Sequence, residues 1–234
     1  MRKVWLYLLC VCVAFATAAC SDDDAPRTVA PDAVGTFVDE RDGYVYHYVR
    51  YGDQEWTCEN SHFIIRDGVV CSVYQGPELE SNTNNFDDFF MTYYDKYGCL
   101  YTYEAALRAA PEGWRLPTDE DWQKLERHLG MSAEEAAGLD WRGNVATQMM
   151  ERTEDYSGMN ILLGGYYTNY ITGGILYWRY MGVYGYYWTA TQDAAKGEGY
   201  YFARKFVYNK SAVWRQSMEG SNYQLYVRFV RDVK

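Results

Sequence analysis

The chain has 234 residues, a formal net charge of −10 and 48% hydrophobic residues, with 25 tyrosines and 8 tryptophans. This length and hydrophobic content are sufficient for one domain with a well-buried core. So acidic a chain is unsuited to binding nucleic acid or an anionic membrane surface, because both repel negative charge. We therefore expect no nucleic-acid partner.

The first 19 residues have the pattern of a secretory signal peptide. Arg2 and Lys3 precede an apolar run from Val4 to Phe15, which is too short to cross a membrane as a helix. The following "TAAC" resembles a bacterial lipobox, in which Cys20 would be lipidated and become the mature N-terminus. Thr17 stands where the lipobox prefers Leu, and ordinary cleavage with Cys20 as a bystander is the alternative.

The segment after Cys20 is acidic. "SDDD" (Ser21 to Asp24) resembles the export tag of Bacteroidetes-type lipoproteins that reach the outer face of the outer membrane. A solvated acidic tether is the simpler interpretation, since a run of like charges repels itself and does not collapse. We predict a lipid anchor at Cys20, a flexible tether over residues 20–35 and one domain over 36–234. Its only membrane contact would be the anchor, and it would face the cell exterior.

Three cysteines remain in the predicted domain: Cys58, Cys71 and Cys99. An odd number in an oxidising compartment allows at most one disulfide within the chain. Cys58 with Cys71 is the nearest pairing and our candidate, although spacing does not determine connectivity. The wide spacing and the lack of nearby histidines argue against a zinc site, so we expect neither metal nor cofactor.

The first part of the domain has the pattern of a β-hairpin. In residues 36–58, "YVYHYVRY" alternates, Gly52–Asp53 supplies a turn and "QEWTC" resumes the strand pattern. Residues 60–98 show little pattern, and "PELESNTNNFDD" indicates a polar loop. "LYTYEAALRAA", residues 100–110, predicts a helix.

"PEGWRLPTDEDW", residues 111–122, has the pattern of a helix start. The Thr118 hydroxyl can accept a hydrogen bond from a free backbone N–H, and the three acids that follow favour the positive end of the helix dipole. Trp122, Leu125 and Leu129 recur at helical spacing and predict a buried stripe. The segment is therefore interpreted as scaffold, not as a catalytic centre.

Two further helices and a run of strands complete the pattern. Ser132 with Glu135 forms a second capping box, which predicts a short helix that ends near Gly138. Residues 144–152 are a third helical candidate. From Ser157 onward the chain is rich in Gly and Tyr and strand-like. A hairpin followed by helices and then strands predicts an α+β fold.

Five ordered segments carry a family resemblance: "DERDGYVYHYVRYGDQEWTCEN", "LYTYEAALRAAPEGWRLPTDEDW", "GMNILLGGYY", "GYYWTAT" and "YVRFVRD". Together they resemble the Fibrobacter succinogenes major paralogous domain over residues 36–233. The resemblance implies a single α+β domain similar in fold to the formylglycine-generating enzymes (sulfatase-modifying factors) and, more distantly, to C-type lectins. Ala110 and Phe229 stand where this family usually has cysteines, which implies that apolar packing replaces a disulfide between them.

The resemblance raises an enzymatic hypothesis that the residues do not support. Formylglycine-generating enzymes hold copper with a cysteine pair near the C-terminus, and no cysteine follows Cys99 here. His47, His62 and His128 are scattered, unlike the histidine cluster of the related sulfoxide synthases. The calcium ligands of C-type lectins are also missing, since no "EPN" or "QPD" occurs and "WTAT" replaces "WND". We predict that the chain is not an enzyme.

The aromatic segment between Tyr156 and Trp188 is the remaining functional signal. Tyr and Trp offer large, rigid contact surfaces with a polar tip, and they suit sugar stacking or a protein partner. Core packing explains any single ring equally well, and Trp114 and Trp188 are expected to be structural because they lie inside the family motifs. The candidate ligand-binding residues are Tyr167, Tyr170, Tyr177, Trp178, Tyr180, Trp214 and Arg215.

Three functions are compatible with these observations. The first is a surface lipoprotein that binds an extracellular glycan through an aromatic loop surface. The second is a protein-binding adhesin or a diversified display module, because the lectin-like domains of diversity-generating retroelements end in a similar Tyr- and Asn-rich segment. The third is a structural lipoprotein of the envelope.

Overall fold

The structure is a computed structural model that describes residues 28–66, 71–73, 86–150, 158–170 and 178–233, with the backbone alone for 86–90. Within these ranges the helices are α1 (Phe86–Tyr97), α2 (Tyr103–Ala106), α3 (Asp119–His128), α4 (Ala133–Ala137) and α5 (Ala146–Met149). The strands are β1 (Ala33–Val38), β2 (Val45–Tyr51), β3 (Gln54–Thr57), β4 (Cys71–Ser72), β5 (Leu100–Tyr101), β6 (Asp140–Arg142), β7 (Tyr166–Thr168), β8 (Trp178–Arg179), β9 (Tyr184–Gln192), β10 (Tyr200–Val207), β11 (Val213–Glu219), β12 (Tyr223–Gln224) and β13 (Val230–Asp232). None of these helices is long and apolar enough to cross a membrane.

The strands form antiparallel sheets, and the predicted α+β class is confirmed. One sheet has the order β1-β2-β3-β13, and a second has the order β6-β11-β10-β9. A three-stranded sheet, β12-β7-β8, and the pair β4-β5 complete the strand pairing of the described residues. The second sheet carries the candidate site.

The predicted hairpin is confirmed as β2 and β3. Gly52 lies in its turn with a φ of 62°, a backbone conformation that glycine adopts without steric cost. The fold begins before the predicted boundary at residue 36, because β1 starts at Ala33. Further upstream, the Val29 N–H donates to Gln148 Oε1 at 3.0 Å. The predicted tether over 20–35 is therefore too long at its C-terminal end, and its start at Cys20 lies outside the described residues.

The starts of α3 and α4 were predicted correctly. Thr118 caps α3, its hydroxyl accepting from the Asp121 N–H at 3.1 Å while the Asp121 carboxylate accepts from the Thr118 N–H at 2.7 Å. Ser132 and Glu135 form the same reciprocal cap on α4. Trp122, with the two leucines of its stripe, is buried. Both caps are local, because each joins residues three positions apart.

Other local patterns were overridden by pairing with distant strands. The predicted helix over 100–110 is wrong at its start, because Tyr101 exchanges backbone hydrogen bonds with Leu225 at 2.8 and 3.0 Å. Only Tyr103–Ala106 remain helical. The third helical candidate, residues 144–152, is helical over Ala146–Met149. The weakly patterned region 60–98 contains α1, which the sequence interpretation missed.

Two apolar clusters pack on opposite faces of the second sheet. The helix cluster, around Trp122, Tyr187 and Phe206, lies under α3. The aromatic cluster contains Tyr46, Trp114, Trp188 and Phe229, with Ala110 packed against it. Both tryptophans expected to be structural are buried, and Ala110 and Phe229 share one apolar environment, as the resemblance implied.

A buried ion network ties α3 to the second sheet. Arg204, which is fully buried, donates to Glu126 at 2.7 Å and to Asp119 at 2.7 Å. Arg142 donates to Glu126 at 2.7 Å, and Arg215 donates to Asp119 at 2.7 Å. Burial alone would raise the pKa of Asp119, but the hydrogen bond from Arg215 and the charge of Arg204 outweigh it and hold that pKa at about 2. The network carries one net positive charge from three arginines and two carboxylates.

The three cysteines of the domain are free thiols. The candidate disulfide between Cys58 and Cys71 is not formed. Cys58 lies in the helix cluster, whereas Cys71 packs against the aromatic cluster beside Cys99. The pairing of β4 with β5 matches Cys71 with Tyr101, so Cys71 and Cys99 share one face of this strand pair. A hydrogen bond from Cys99 lowers the pKa of Cys71 to about 7, and burial raises the pKa of Cys58 to about 12.

On treatment with oxidised glutathione, we expect a disulfide between Cys71 and Cys99. The Cys71 thiolate attacks the glutathione disulfide and releases one glutathione. The Cys99 sulfur, losing its proton, then displaces the second glutathione from the mixed disulfide. Non-reducing peptide mapping should detect this cross-link in the wild-type chain and equally in a Cys58→Ala variant. A Cys58–Cys71 cross-link would contradict the expectation.

Candidate functional site

One row of side chains crosses the second sheet from edge to edge. Trp141 of β6 pairs with Trp214 of β11, Trp214 pairs with Lys205 of β10, and Lys205 pairs with Tyr186 of β9. Directly paired residues point to the same face of a sheet, so each of the four strands contributes one member of the row. We call these four residues, together with Tyr184, the aromatic platform.

The Lys205 amine lies among the rings of this platform. Its Nζ is 4.6 Å from the Trp214 ring centroid and 5.0 Å from that of Trp141. The rings of Tyr184 and Tyr186 are 5.4 and 5.5 Å from it. Burial, with a smaller contribution from the charge of Lys210, lowers the pKa of Lys205. The ring faces attract the ammonium and hold it in place.

A cleft of about 340 Å³ adjoins the platform. Trp214 and Tyr186 belong to both, so platform and cleft adjoin at these rings; Trp214 is half-buried there, whereas Tyr186 is only 8% exposed and is also part of the aromatic cluster. The cleft is lined by Tyr170, Tyr186, Tyr200, Trp214, Ser217, Met218, Glu219 and Tyr223. It combines ring faces with a few polar atoms, the usual composition of a small-ligand site.

The far end of the cleft is polar. The Tyr170 hydroxyl donates to Glu219 Oε2 at 2.6 Å and accepts from the Asn222 amide at 3.0 Å. The hydrogen bond between Tyr170 and Glu219 raises the pKa of Tyr170 and lowers the pKa of Glu219. Glu219 is therefore a carboxylate at neutral pH, able to accept hydrogen bonds from ligand hydroxyls.

Two predicted site residues line the cleft, and a third lies near it. Trp214 and Tyr170 are lining residues, and Tyr170 is 50% exposed. Tyr180 is 48% exposed, and its ring contacts that of Tyr184 at a centroid distance of 4.9 Å. These three placements agree with a surface role.

Tyr167 and Trp178 lie elsewhere. They pair across β7 and β8 with ring centroids 5.2 Å apart and pack against the helix cluster. The neighbouring Tyr166 points the other way and contacts Tyr186 at 5.0 Å. Alternation along the strand explains the difference, because successive side chains face opposite sides.

The prediction of ligand contact for Arg215 is corrected by the structure. Its side chain is buried and binds Asp119 in the ion network. Its neighbour Trp214 faces the opposite side of β11, toward the platform. Tyr177 and Cys20 fall outside the described residues.

Several residues of the surface were missed by the sequence interpretation, among them Trp141, Tyr186, Lys205, Glu219 and Tyr223. The segment "YYFARKFV" gave no usable signal for the orientation of Lys205, because its apolar and charged residues occur in runs and do not alternate. The register between strands, which assembles the row, carried no local signal.

Side chains that could ligate a metal are dispersed in the described residues. Within them, no group of three or more His, Cys, Asp or Glu side chains is placed to hold a metal ion. His47 contacts Glu59 at 2.6 Å, while His62 is buried in the aromatic region with a pKa lowered by burial.

A second cleft of about 420 Å³ has no charged residue in its described lining, which consists of Tyr97, Thr147, Met150, Ile161, Leu163, Gly182 and Tyr208.

Comparison with known proteins supports the resemblance seen in the sequence. The family model of the Fibrobacter succinogenes major domain matches residues 49–231, a range that includes every lining residue of the 340 Å³ cleft. No curated protein and no solved structure matches the chain. The implied likeness to formylglycine-generating enzymes and C-type lectins therefore stays a prediction. The chain belongs to the Fibrobacter succinogenes major domain family.

Proposed function

We propose that this chain is a non-catalytic lipoprotein of the outer membrane surface that binds an extracellular glycan in the aromatic cleft. The observation that carries the proposal is the continuous surface of Trp214, Tyr186 and the other cleft rings, which ends at the Tyr170–Glu219 pair. Sugars present apolar C–H faces and polar hydroxyl edges. Flat rings beside fixed hydrogen-bonding groups match both.

The position of the cleft supports a role in contact with ligand. Trp214 and Tyr223 are partly exposed, whereas the rings that stabilise the fold, such as Trp188 and Tyr187, are fully buried. In the proposal, a lipid on Cys20 holds the domain at the membrane and the acidic segment after it acts as a leash, leaving the cleft open to the exterior.

Trp214→Ala is expected to weaken glycan binding at least tenfold, because it removes the ring shared by cleft and platform. A tenfold loss corresponds to about 1.4 kcal/mol, below the roughly 2 kcal/mol typical of a central aromatic contact. The measurement is a glycan array with purified full-length protein in detergent, followed by titration of each glycan bound. Tyr208→Ala is the matched control, since Tyr208 is exposed and does not line this cleft.

Both variants should remain folded, because neither ring is fully buried, but Trp214→Ala is expected to lower the melting temperature more than Tyr208→Ala, since Trp214 packs against the aromatic cluster. Equal binding by wild type and Trp214→Ala would refute the cleft as the site. A well-folded protein that binds no glycan would refute glycan binding itself. A protein ligand, recovered by pull-down and lost in Trp214→Ala, would then favour the adhesin alternative, for which the exposed tyrosines are suited.

A further inference from the structure

Lys205 differs from the other cations of its sheet. Arg204 and Arg215 are each bound to carboxylates in the ion network. None of the ion pairs among the described residues includes Lys205. The ammonium is instead surrounded by the four rings of the platform.

A second amine lies near the same tryptophan ring. Lys210 Nζ is 5.1 Å from the Trp141 ring centroid, and the Lys205 amine is 5.0 Å from the same ring. The two like charges repel each other, and the charge of Lys210 contributes to the lowered pKa of Lys205. An anion bound beside Trp141 and Trp214 would relieve this repulsion and supply the missing partner.

The opposite end of the surface has the opposite charge. Trp214 and Glu219 lie on one strand, five residues apart, which corresponds to roughly 17 Å along β11. Lys205 pairs with Trp214 at one end, and Tyr170 binds Glu219 at the other. A ligand with one anionic end would be oriented by this polarity, because Glu219 repels the group that Lys205 attracts.

We propose that Lys205 is an anion subsite on the platform beside the cleft and that the glycan carries a carboxylate, as uronic and sialic acids do. This inference rests on the proposed function and narrows its ligand class. The sugar ring stacks on Trp214, and its carboxylate accepts a charge-assisted hydrogen bond from the Lys205 ammonium. The neutral remainder of the glycan extends toward Tyr170 and Glu219.

The test compares acidic glycans with neutral counterparts of the same size. Oligogalacturonate is titrated against its methyl ester, and sialyllactose against the methyl ester of its sialic acid, using the full-length protein. For at least one pair we expect the acidic member to bind tenfold or more tightly, with an affinity that falls as salt is added. Lys205→Gln should abolish the preference, so that the acidic ligand binds no more tightly than the neutral one.

Two further variants separate charge from packing. Lys205→Arg should retain the preference for the acidic ligand, because it keeps the positive charge among the rings. Lys124→Gln makes the same charge change on the distant surface of α3, where Lys124 pairs with Asp53, and should have no effect.

The possible failures are distinguishable. If neutral members bind as tightly as acidic ones, or if Lys205→Gln leaves acidic binding intact, the anion subsite is refuted while glycan binding stands. If neither member of any pair binds, the subsite is refuted, and the glycan array alone decides whether the proposed glycan function stands.

Discussion

Glu126→Gln is expected to lower the free energy of unfolding by about 3–5 kcal/mol, the range for breaking a buried ion pair from one side. Glu126 is fully buried and is the shared carboxylate partner of Arg142 and Arg204. A Gln side chain has nearly the same shape but no charge, so both guanidinium groups would lose that partner in a site that water does not reach. Chemical denaturation monitored by tryptophan fluorescence measures the change.

Glu120→Gln is the matched control on the same helix. Its side chain is 70% exposed and binds Arg127 at 2.8 Å on the surface. The same substitution there should change stability by less than about 1 kcal/mol, because water screens exposed pairs. If Glu126→Gln and Glu120→Gln lowered the free energy of unfolding equally, burial would not determine how much the ion network contributes to stability.

Arg228→Met is also expected to lower the free energy of unfolding by about 3–5 kcal/mol. Arg228 is fully buried and donates to the backbone oxygens of Thr57, Met159 and Asn160 and to the side-chain oxygen of Asn60. It thereby joins the end of β3 to the segment that precedes β7. Methionine would fill part of the space but leave these acceptors without a donor, and hydrogen bonds to charged groups contribute about 1.5–3 kcal/mol each.

Arg127→Met provides the comparison for this prediction. Arg127 is partly exposed and pairs only with Glu120 among the described ion pairs. Arg127→Met should lower the free energy of unfolding by less than about 1 kcal/mol. Thermal and chemical denaturation of both variants will measure the difference. An Arg228→Met variant as stable as wild type would mean that water satisfies the vacated acceptors.

Helix starts were predictable because their chemistry is local. The Thr118–Asp121 and Ser132–Glu135 boxes each join groups three residues apart, and each lies where predicted. The acidic first turn of α3 also contains Asp119, which the sequence interpretation explained only by its interaction with the helix dipole. Its partners Arg204 and Arg215 follow 85 and 96 residues later, so no residue close to Asp119 in the sequence predicts the ion network.

The same distinction separates the predicted site residues that line the cleft from Arg215, which does not. Tyr170 and Trp214 were selected for chemistry and lie in the cleft, whereas Arg215 was selected with Trp214 and faces the other way. Adjacent positions on a strand always diverge. Which of the two faces outward depends on what covers each face, and that is decided by distant elements.

By itself, the sequence determined the α+β class, the hairpin at β2 and β3, the helix caps and the family. The hairpin and the caps depend on residue types at short separations in the sequence, and the class and the family depend on the order of the segments. The tertiary structure alone decided which rings form a surface. The row of Trp141, Trp214, Lys205 and Tyr186 exists because four strands pair in one register, and a shift of one residue in a single strand would turn its member to the other face. Backbone hydrogen bonds are alike in either register, so burial of the two clusters on opposite faces selects between them.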